Sequence, residues 1–329
     1  MESISSPLVS IVIPCYNGSE FIGDAIGTVS SQSYGNWEII VIDDGSEDDS
    51  VDVVGGFEDD RIRLLSHSEN RGIAATRNTG IEAANGEFVA FLDQDDLWDE
   101  RKLEKSVRAA SELDNPGLVQ TGLKKTYPNE SPEVLAKRGY SRISEEELAL
   151  DLLFDRRPFY TASTIMVSRA AFDELGSMND RLTRWDDKEM WIRILLDDTF
   201  DAACIEEPLV TKRQHDERTT STSGTDDLFR LHRILMRENR ELRKYRRKHL
   251  SYIYYRHGGQ QWRSGISRGH LSVIWISFLK SIYYDPKHWR PYLALPLSVF
   301  GKTGHRFSTR AKKLLFGFDA NNTLGDAHE

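Results

Sequence analysis

The acidic segment Asp93–Asp96 is the part of the chain whose residue types point most directly to chemistry. Asp93, Asp95 and Asp96 follow the apolar segment Glu87–Leu92 within four consecutive positions. Carboxylates this close repel one another, so their ionised forms need compensation. A divalent cation, Mn²⁺ or Mg²⁺, would supply it, because such ions prefer oxygen ligands and are often shared with the phosphates of a substrate. The alternative is a solvent-exposed turn in which Asp96 caps the next helix.

Two further polar clusters follow apolar segments that have the composition of strands. Tyr16 and Asn17 follow the first such segment, and Asp43-Asp44 begins the polar sequence after the second. Ligands of open α/β sheets bind beyond the carboxyl ends of the strands. We therefore expect these two clusters and the acidic segment to face one cleft. The Asp43-Asp44 cluster could instead be a turn that caps a helix at Asp48.

Other charged residues could complete such a site. Arg71 and Arg77 lie at the start of an Ala-rich helical segment, where both could pair with phosphate. Asp186-Asp187 open another helical segment, where the helix dipole favours acids in any protein. His215 lies in a polar segment. Ordinary surface arginines, dipole-stabilised acids and a solvated histidine are the alternatives for these residues.

Short apolar runs alternate with helical patterns over the first 120 residues, which predicts an α/β fold with a parallel sheet and crossover helices. The predicted strands are Val9–Ile13, Glu38–Ile42, Arg61–Leu65, Glu87–Leu92 and, further on, Ser163–Val167. The predicted helices are Glu20–Ser31, Ile73–Ala84, Arg101–Leu113, Ser144–Phe154 and Asp186–Leu196. The Thr- and Ser-rich segment Thr211–Gly224 predicts an exposed loop. From Asp227 onward the pattern is mostly helical and basic.

The charge of the chain is divided unevenly. Residues 1–226 carry 23 Lys+Arg against 45 Asp+Glu, whereas residues 227–329 carry 20 against 7, a net of +13. The acidic part argues against nucleic acid as a partner, because phosphate backbones select basic surfaces. The basic part, rich in Trp and Tyr, suits an anionic membrane face, or it could dock onto the acidic part.

Cysteine content and hydropathy indicate the kind of compartment in which the protein works. Cys15 and Cys204 are the two cysteines of the chain, and they predict neither a disulfide framework nor a metal site. We therefore expect a reducing, cytoplasmic compartment. No uninterrupted apolar run reaches the roughly 20 residues that a membrane-spanning helix needs.

Four linked motifs resemble glycosyltransferase family 2 over roughly residues 8–220. They are VSIVIPCYN at Val9–Asn17, EIIVIDDGS at Glu38–Ser46, RGIAATRN at Arg71–Asn78 and FLDQDD at Phe91–Asp96. The resemblance implies the GT-A fold, a Rossmann-like nucleotide-binding mixed sheet flanked by helices, as a catalytic domain over residues 1–226. A helical, basic C-terminal region would follow over residues 227–329. The implied reaction is transfer of a sugar from a nucleotide diphosphate to an acceptor hydroxyl, with inversion.

The resemblance also implies roles for the nucleotide-sugar site. Tyr16 would lie near the base ring, Asp44 would hydrogen-bond the base edge, and Arg77 would face the diphosphate. The full set implied to hold the nucleotide sugar is Pro14, Tyr16, Asn17, Asp43, Asp44, Arg77, Asp93 and Gln94.

For catalysis, the resemblance implies that Asp187 is the general base, with Asp186 beside it in place of the family's usual Glu. Asp95 would bind the metal, Asp93 would bind the ribose or the waters of the metal, and His215 would lie near the metal and the diphosphate. The processive signature Q-x-x-R-W is absent, because the sequence at Gln260–Arg263 has another order. The addition of a single sugar is therefore favoured over polymer synthesis.

Two other classes of function compete with this interpretation. A nucleotidyltransferase would carry a Gly-rich basic loop after the first strand, but the sequence at Pro14–Gly18 has no Lys or Arg. A non-catalytic nucleotide-sugar-binding module would not need the acids at 93, 95 and 187. The resemblance further implies a lipid-linked saccharide or polyprenyl phosphate as acceptor. The C-terminal region would then bind peripherally to the inner face of the cell membrane.

Overall fold

The computed structural model describes residues 6–126, 133–134, 144–154, 161–213, 225–264, 268–288 and 290–298. The chain separates into two compact units. The first comprises Met1–Leu150 and Phe159–Arg218, and the second comprises Asp151–Pro158 and Thr219–Glu329. The functional division at residue 226 stays a prediction.

Among the described residues of the first unit, one mixed sheet of nine strands forms the centre, in the order β3-β2-β1-β4-β8-β6-β9-β5 with β7 paired to β6. The strands are β1 (Val9–Cys15), β2 (Trp37–Asp43), β3 (Ile62–Ser66), β4 (Phe88–Phe91), β5 (Asp96–Trp98), β6 (Pro116–Thr126), β7 (Glu133–Val134), β8 (Ile165–Ser168) and β9 (Asp201–Arg213). This confirms the predicted α/β class with a mixed sheet.

Helices flank the sheet along the chain. They are α1 (Ile22–Ser30), α2 (Ser50–Gly55), α3 (Ile73–Ala83), α4 (Lys102–Ser111), α6 (Arg169–Leu175) and α7 (Asp186–Leu195). A further helix, α5 (Glu145–Leu153), contains the division between the two units at Leu150. The crossover helix α3 packs closely on β1, since a Cβ added at Gly80 would clash with Val12 Cγ1. Trp191 of α7 packs on Phe91 of β4, with ring centroids 5.7 Å apart.

The parallel half of the sheet places the polar clusters at one edge. β1 is parallel to β2 and β4, and β2 is parallel to β3. All seven residues of β1 are buried, as expected for a β-branched strand covered on both faces. The carboxyl ends of β1, β2 and β4 therefore meet at the same edge.

The other half of the sheet was largely missed by the sequence analysis. β8 runs antiparallel to β4 and β6, and β9 pairs with β6 and β5. Neither β6 nor β9 shows a clear alternation of apolar and polar residues along its sequence. β6 is buried over most of its length, and its pairing with β9 is irregular. Thr211–Arg213 belong to β9 and not to the predicted loop, whose remainder lies outside the described residues.

The described part of the second unit is helical, as the sequence predicts from Asp227 onward. Its helices are α8 (Thr225–Glu238), a 3-10 helix (Glu241–Tyr245), α9 (Arg246–Ser264), α10 (Arg268–Tyr284) and α11 (Arg290–Ser298). α9 and α10 pack closely, because a Cβ at Gly258 would lie 2.7 Å from the Phe278 ring. Buried polar pairs join the two helices, including Ser251 Oγ with Ser281 Oγ at 3.0 Å. None of the helices in the described part of the chain is long and apolar enough to cross a membrane.

Candidate functional site

The acidic segment forms a tight turn directly after β4. The Asp96 N–H donates to the Asp93 carbonyl at 3.0 Å, and ligand oxygens of Asp93, Asp95 and Asp96 all lie within 4.8 Å of one another. Burial raises the pKa of Asp96 to about 7, although the Lys212 ammonium 3.9 Å away opposes the shift. A compact set of carboxylate oxygens fits a hard divalent cation, whose positive charge would offset their repulsion.

A buried arginine connects this turn to a second acidic segment. Arg77 projects from α3, and its side chain is 6% exposed. Its Nη2 donates to Asp93 Oδ1 at 2.9 Å, and its Nη1 donates to Asp186 Oδ2 at 3.1 Å. Burial alone would lower the pKa of Arg77, but the carboxylates of Asp186 and Asp93 outweigh it and raise that pKa. Both terminal nitrogens therefore donate to carboxylates, while the predicted role of Arg77 at the diphosphate stays a prediction.

The first turn of α7 presents acids in different environments. Trp185, just before the helix, adopts the left-handed conformation at φ 68°, which is uncommon for a non-glycine residue and is concentrated at functional sites. Asp186 is 2% exposed, and burial raises its pKa to about 6 against the opposing charge of Arg77. Glu189 is held by Arg193 at 2.9 Å. Asp187 is half-buried, with its Oδ1 accepting from the Lys188 N–H at 2.7 Å.

Gln94 connects the acidic turn to the loop after β1. Its Oε1 accepts from the Tyr16 N–H at 2.8 Å, and its Nε2 donates to the Tyr16 carbonyl at 3.2 Å. The Tyr16 side chain is itself free to meet a flat ligand, because the residue is 45% exposed. Gln94 was predicted to bind the nucleotide sugar, and the structure gives its amide a contact within the protein.

Asn17 connects the loop after β1 to the loop after β2. Its φ of 46° places it in the left-handed region, and its N–H donates to Ser46 Oγ at 2.9 Å. Its Oδ1 accepts from the Glu47 N–H at 2.8 Å. Pro14, the next predicted member of this group, is buried within β1. The loop is thus shaped by hydrogen bonds as well as by strand geometry.

The two acids after β2 anchor neighbouring loops. Asp44 Oδ1 accepts from the Arg71 N–H and Oδ2 from the Gly72 N–H, both at 2.9 Å. His67 Nδ1 lies 2.6 Å from Asp44 Oδ1. Burial would raise the pKa of Asp44, but these hydrogen bonds, that of His67 foremost, lower it. The predicted hydrogen bond from Asp44 to a base edge stays a prediction.

Asp43 accepts from the Ser46 N–H at 3.3 Å and is buried, so it stabilises the turn that follows β2.

His67 was not predicted, although it follows β3 as the other clusters follow their strands. Arg213 was also missed. Its Nε donates to the Asp95 carbonyl at 2.8 Å, and it reaches the site because β9 ends beside the acidic turn.

Most of the predicted site residues therefore lie at one edge of the sheet. The parallel strands bring together the loops of Tyr16, Asp44 and Asp93, and Arg77 adds Asp186 at the start of α7. His215 lies outside the described residues. The individual roles implied for these residues stay predictions.

A mixed sheet whose parallel strands end in polar loops and an acidic turn is the GT-A arrangement of glycosyltransferases. The comparisons agree with this class. The chain belongs to glycosyl transferase family 2, whose model matches residues 10–176.

Relatives and solved structures support the same conclusion. An uncharacterized glycosyltransferase of Rickettsia typhi is 30% identical over 224 residues, which are 68% of this chain and 69% of that protein. WfgD of Escherichia coli, a UDP-Glc:alpha-D-GlcNAc-diphosphoundecaprenol beta-1,3-glucosyltransferase, is 45% identical over 100 residues, 30% of this chain and 40% of that protein. The structure of Staphylococcus aureus TarS 1-349 in complex with UDP-GlcNAc has the same fold, with a TM-score of 0.65 at 15% identity over 94% of this chain and 92% of that one.

Removing the charge of Arg77 tests the connection between the two acidic segments. We expect Arg77→Met to lower the free energy of unfolding by about 3–5 kcal/mol, because it leaves the buried Asp186 and the half-buried Asp93 without their shared cation. Arg61→Met is the matched control, since Arg61 also pairs with an aspartate, Asp59, but its side chain is 46% exposed. The control should lose at most about 1 kcal/mol. Urea denaturation measures both, and equal losses would contradict the assignment.

Proposed function

We propose that the chain is an inverting, metal-dependent glycosyltransferase that moves one sugar from a nucleotide diphosphate to an acceptor hydroxyl. The observation that carries this proposal is the buried bridge from Asp93 through Arg77 to Asp186. The bridge holds the candidate cation site and the first turn of α7, which bears Asp187, at the same edge of the sheet. Sugar transfer needs a site for the leaving diphosphate and a base. In this proposal the ion pairs of Arg77 link these two parts.

Asp187 is the proposed general base. Its two acidic neighbours on the helix are held in ion pairs, Asp186 with Arg77 and Glu189 with Arg193. Asp187 is half-buried, and the charges of Arg77 and Lys188 lie near enough to interact with its carboxylate. It would take the proton of the acceptor hydroxyl as that oxygen attacks the anomeric carbon. The bond from the anomeric carbon to the diphosphate oxygen breaks at the same time, which inverts the configuration.

Asp95 and Asp93 would hold the divalent cation, Mn²⁺ or Mg²⁺, together with His215. When bound, the cation supplies charge stabilisation for the departing diphosphate. Asp93 keeps its hydrogen bond to Arg77, so the guanidinium fixes the orientation of that carboxylate. The exposed Tyr16 ring would lie against the base, beside the loop that Asn17 and Gln94 shape.

The relatives favour a cell-surface glycan pathway with a uridine-linked donor. The name of WfgD states UDP-Glc as donor and a diphosphoundecaprenol-linked GlcNAc as acceptor. Another relative, 44% identical over 103 residues, is the putative teichuronic acid biosynthesis glycosyltransferase TuaG of Bacillus subtilis. By this similarity the proposed acceptor is a lipid-linked saccharide or a polyprenyl phosphate.

A lipid-linked acceptor calls for contact with a membrane, which we place on α10 of the second unit. The buried face of this helix contains Ile274 and Phe278 beside Ser277 and Ser281, and its outer face also exposes apolar side chains, those of Ile276, Leu279 and Tyr283. Exposed apolar residues with basic neighbours favour an interfacial position. Lys280 on α10 and Arg247, which donates to the Tyr283 carbonyl, supply positive charge beside this face. The proposed location is therefore peripheral, at the cytoplasmic face of the membrane.

The cation can be tested by its effect on nucleotide binding. UDP and GDP should bind far more weakly in EDTA than in Mn²⁺, and Asp95→Ala should reproduce that loss, at least about tenfold. Isothermal titration measures both, with Asp60→Ala, an exposed aspartate outside the site, as the matched control. Unchanged affinity in EDTA would rule out the cation.

The base can be tested with an isosteric change. Asp187→Asn should lower turnover by roughly 10²–10⁴-fold and leave donor affinity close to that of the wild type, because it removes only proton acceptance. Release of nucleotide diphosphate from UDP-sugars measures turnover. Asp198→Asn, at an exposed position just beyond the other end of α7, should have no effect. Near-normal turnover of Asp187→Asn would place the base elsewhere.

The membrane contact can be tested by co-sedimentation with vesicles. Ile276→Glu combined with Leu279→Glu should weaken binding to anionic vesicles at least about tenfold, because burial of each side chain contributes about 1.5–3 kcal/mol. High salt should weaken binding further, since each basic residue near the surface adds about 1 kcal/mol. Val51→Glu, an exposed apolar position of the first unit, is the control. Equal sedimentation of all three proteins would overturn this contact.

A further inference from the structure

The acidic turn has a buried partner that its own motif does not contain. β8 pairs antiparallel with β4, with Phe88 opposite Ser168 and Ala90 opposite Met166. Extending that register by three residues places Ser163, in the 3-10 helix Ala162–Thr164 before β8, opposite Asp93. Ser163 is completely buried.

One hydroxyl group connects both ends of the turn. Ser163 Oγ accepts from the Asp93 N–H at 3.0 Å and donates to Asp96 Oδ2 at 2.7 Å. Asp96 is completely buried, whereas Asp93 and Asp95 are half-buried. The serine therefore holds the last carboxylate of the turn inside the protein, while the other two stay partly exposed.

Ser163 is itself held in place by its backbone. Its carbonyl accepts from Trp98 Nε1 at 2.9 Å, and Trp98 is 5% exposed. Trp98 belongs to β5, which begins at Asp96, so the serine and the residues after the turn are fixed to one another. Because the Ser163 backbone is anchored in this way, its hydroxyl group keeps a fixed position relative to the acidic turn.

We propose that Ser163 is a positioning residue for the divalent-cation site. Its hydroxyl group fixes the turn so that Asp93 and Asp95 offer their oxygens to one ion while Asp96 stays withdrawn. The proposal rests on the cation of the proposed function. Hydrogen bonds behind metal ligands orient those ligands, and their loss typically costs 10–100-fold in metal affinity. Without the hydroxyl group, the Asp93 N–H and Asp96 Oδ2 lose the contact that joins them, so the repulsion among the three acids is less restrained.

A second serine in the same unit makes the same two kinds of hydrogen bond far from the site. Ser10 Oγ accepts from the Gly86 N–H at 2.8 Å and donates to Glu38 Oε1 at 2.6 Å. Ser10 is also completely buried, and it lies near the amino end of β1, at the opposite edge of the sheet. Ser10→Ala therefore reproduces the structural loss of Ser163→Ala without touching the acidic turn.

The experiment compares Mn²⁺ binding by full-length wild type, Ser163→Ala and Ser10→Ala. Mn²⁺ is titrated into each protein, alone and with saturating UDP, and the free ion is followed by its EPR signal. Thermal unfolding without Mn²⁺ shows how much stability each variant loses. We expect Ser163→Ala to bind Mn²⁺ about 10–100-fold more weakly, with Ser10→Ala close to wild type at a comparable loss of stability.

Each outcome decides between the two proposals. The role of Ser163 is overturned if the wild type binds Mn²⁺ and both variants bind it as tightly, or if both variants bind it more weakly by the same factor. In either case the proposed cation site stands. Wild type that binds no Mn²⁺ overturns the cation and the role of Ser163 together. If Ser163→Ala does not fold, Ser163→Cys replaces it, because a thiol of similar size is a weaker donor and acceptor. Wild-type affinity in that variant would equally overturn the role.

Discussion

A single guanidinium group, that of Arg77, carries the charge balance of the acidic edge. Removing carboxylates from water costs several kcal/mol each unless their charge is matched, and here Asp93 and Asp186 share one buried cation. Asp93 belongs to the turn after β4, and Asp186 begins α7, so the pair spans 93 residues of sequence. This ion pair acts together with the packing of Trp191 on Phe91 to position α7, and with it Asp187, over the sheet.

Acids that look equivalent in the sequence lie in different environments in the folded protein. Asp186, Asp187 and Glu189 all lie in the first turn of α7, where the helix dipole favours each of them. Two of these acids, Asp186 and Glu189, are buried against arginines, whereas Asp187 is half-buried. Asp93, Asp95 and Asp96 show the same division, since Asp96 is withdrawn into the protein. In both segments, tertiary partners determine which acids are buried and which stay partly exposed.

The sequence predicted the parallel half of the sheet and the edge at which its polar loops meet, because β-branched strands and strand-end acids are local patterns. It did not predict β6 or β9, nor the contacts that these strands and β8 bring. Arg213 and Ser163 reach the acidic turn only through antiparallel pairing, and no local pattern encodes that register. His67 could have been found, because it follows β3 as the predicted clusters follow their strands. The contacts of Gln94 with Tyr16 depend on loop geometry, which the motif alone does not specify.

The acidic turn also has a place in the order of folding. Its partners are distant in sequence: 70 residues separate Asp93 from Ser163, and 118 separate Asp95 from Arg213. Contacts of such separation form slowly, because the loop between the partners must close before they are made. During synthesis β1 to β4 emerge first, and their parallel pairing needs none of these later residues. The turn that carries three acids in four positions is therefore fixed by contacts that form only once β8, α7 and β9 have been added to these four strands.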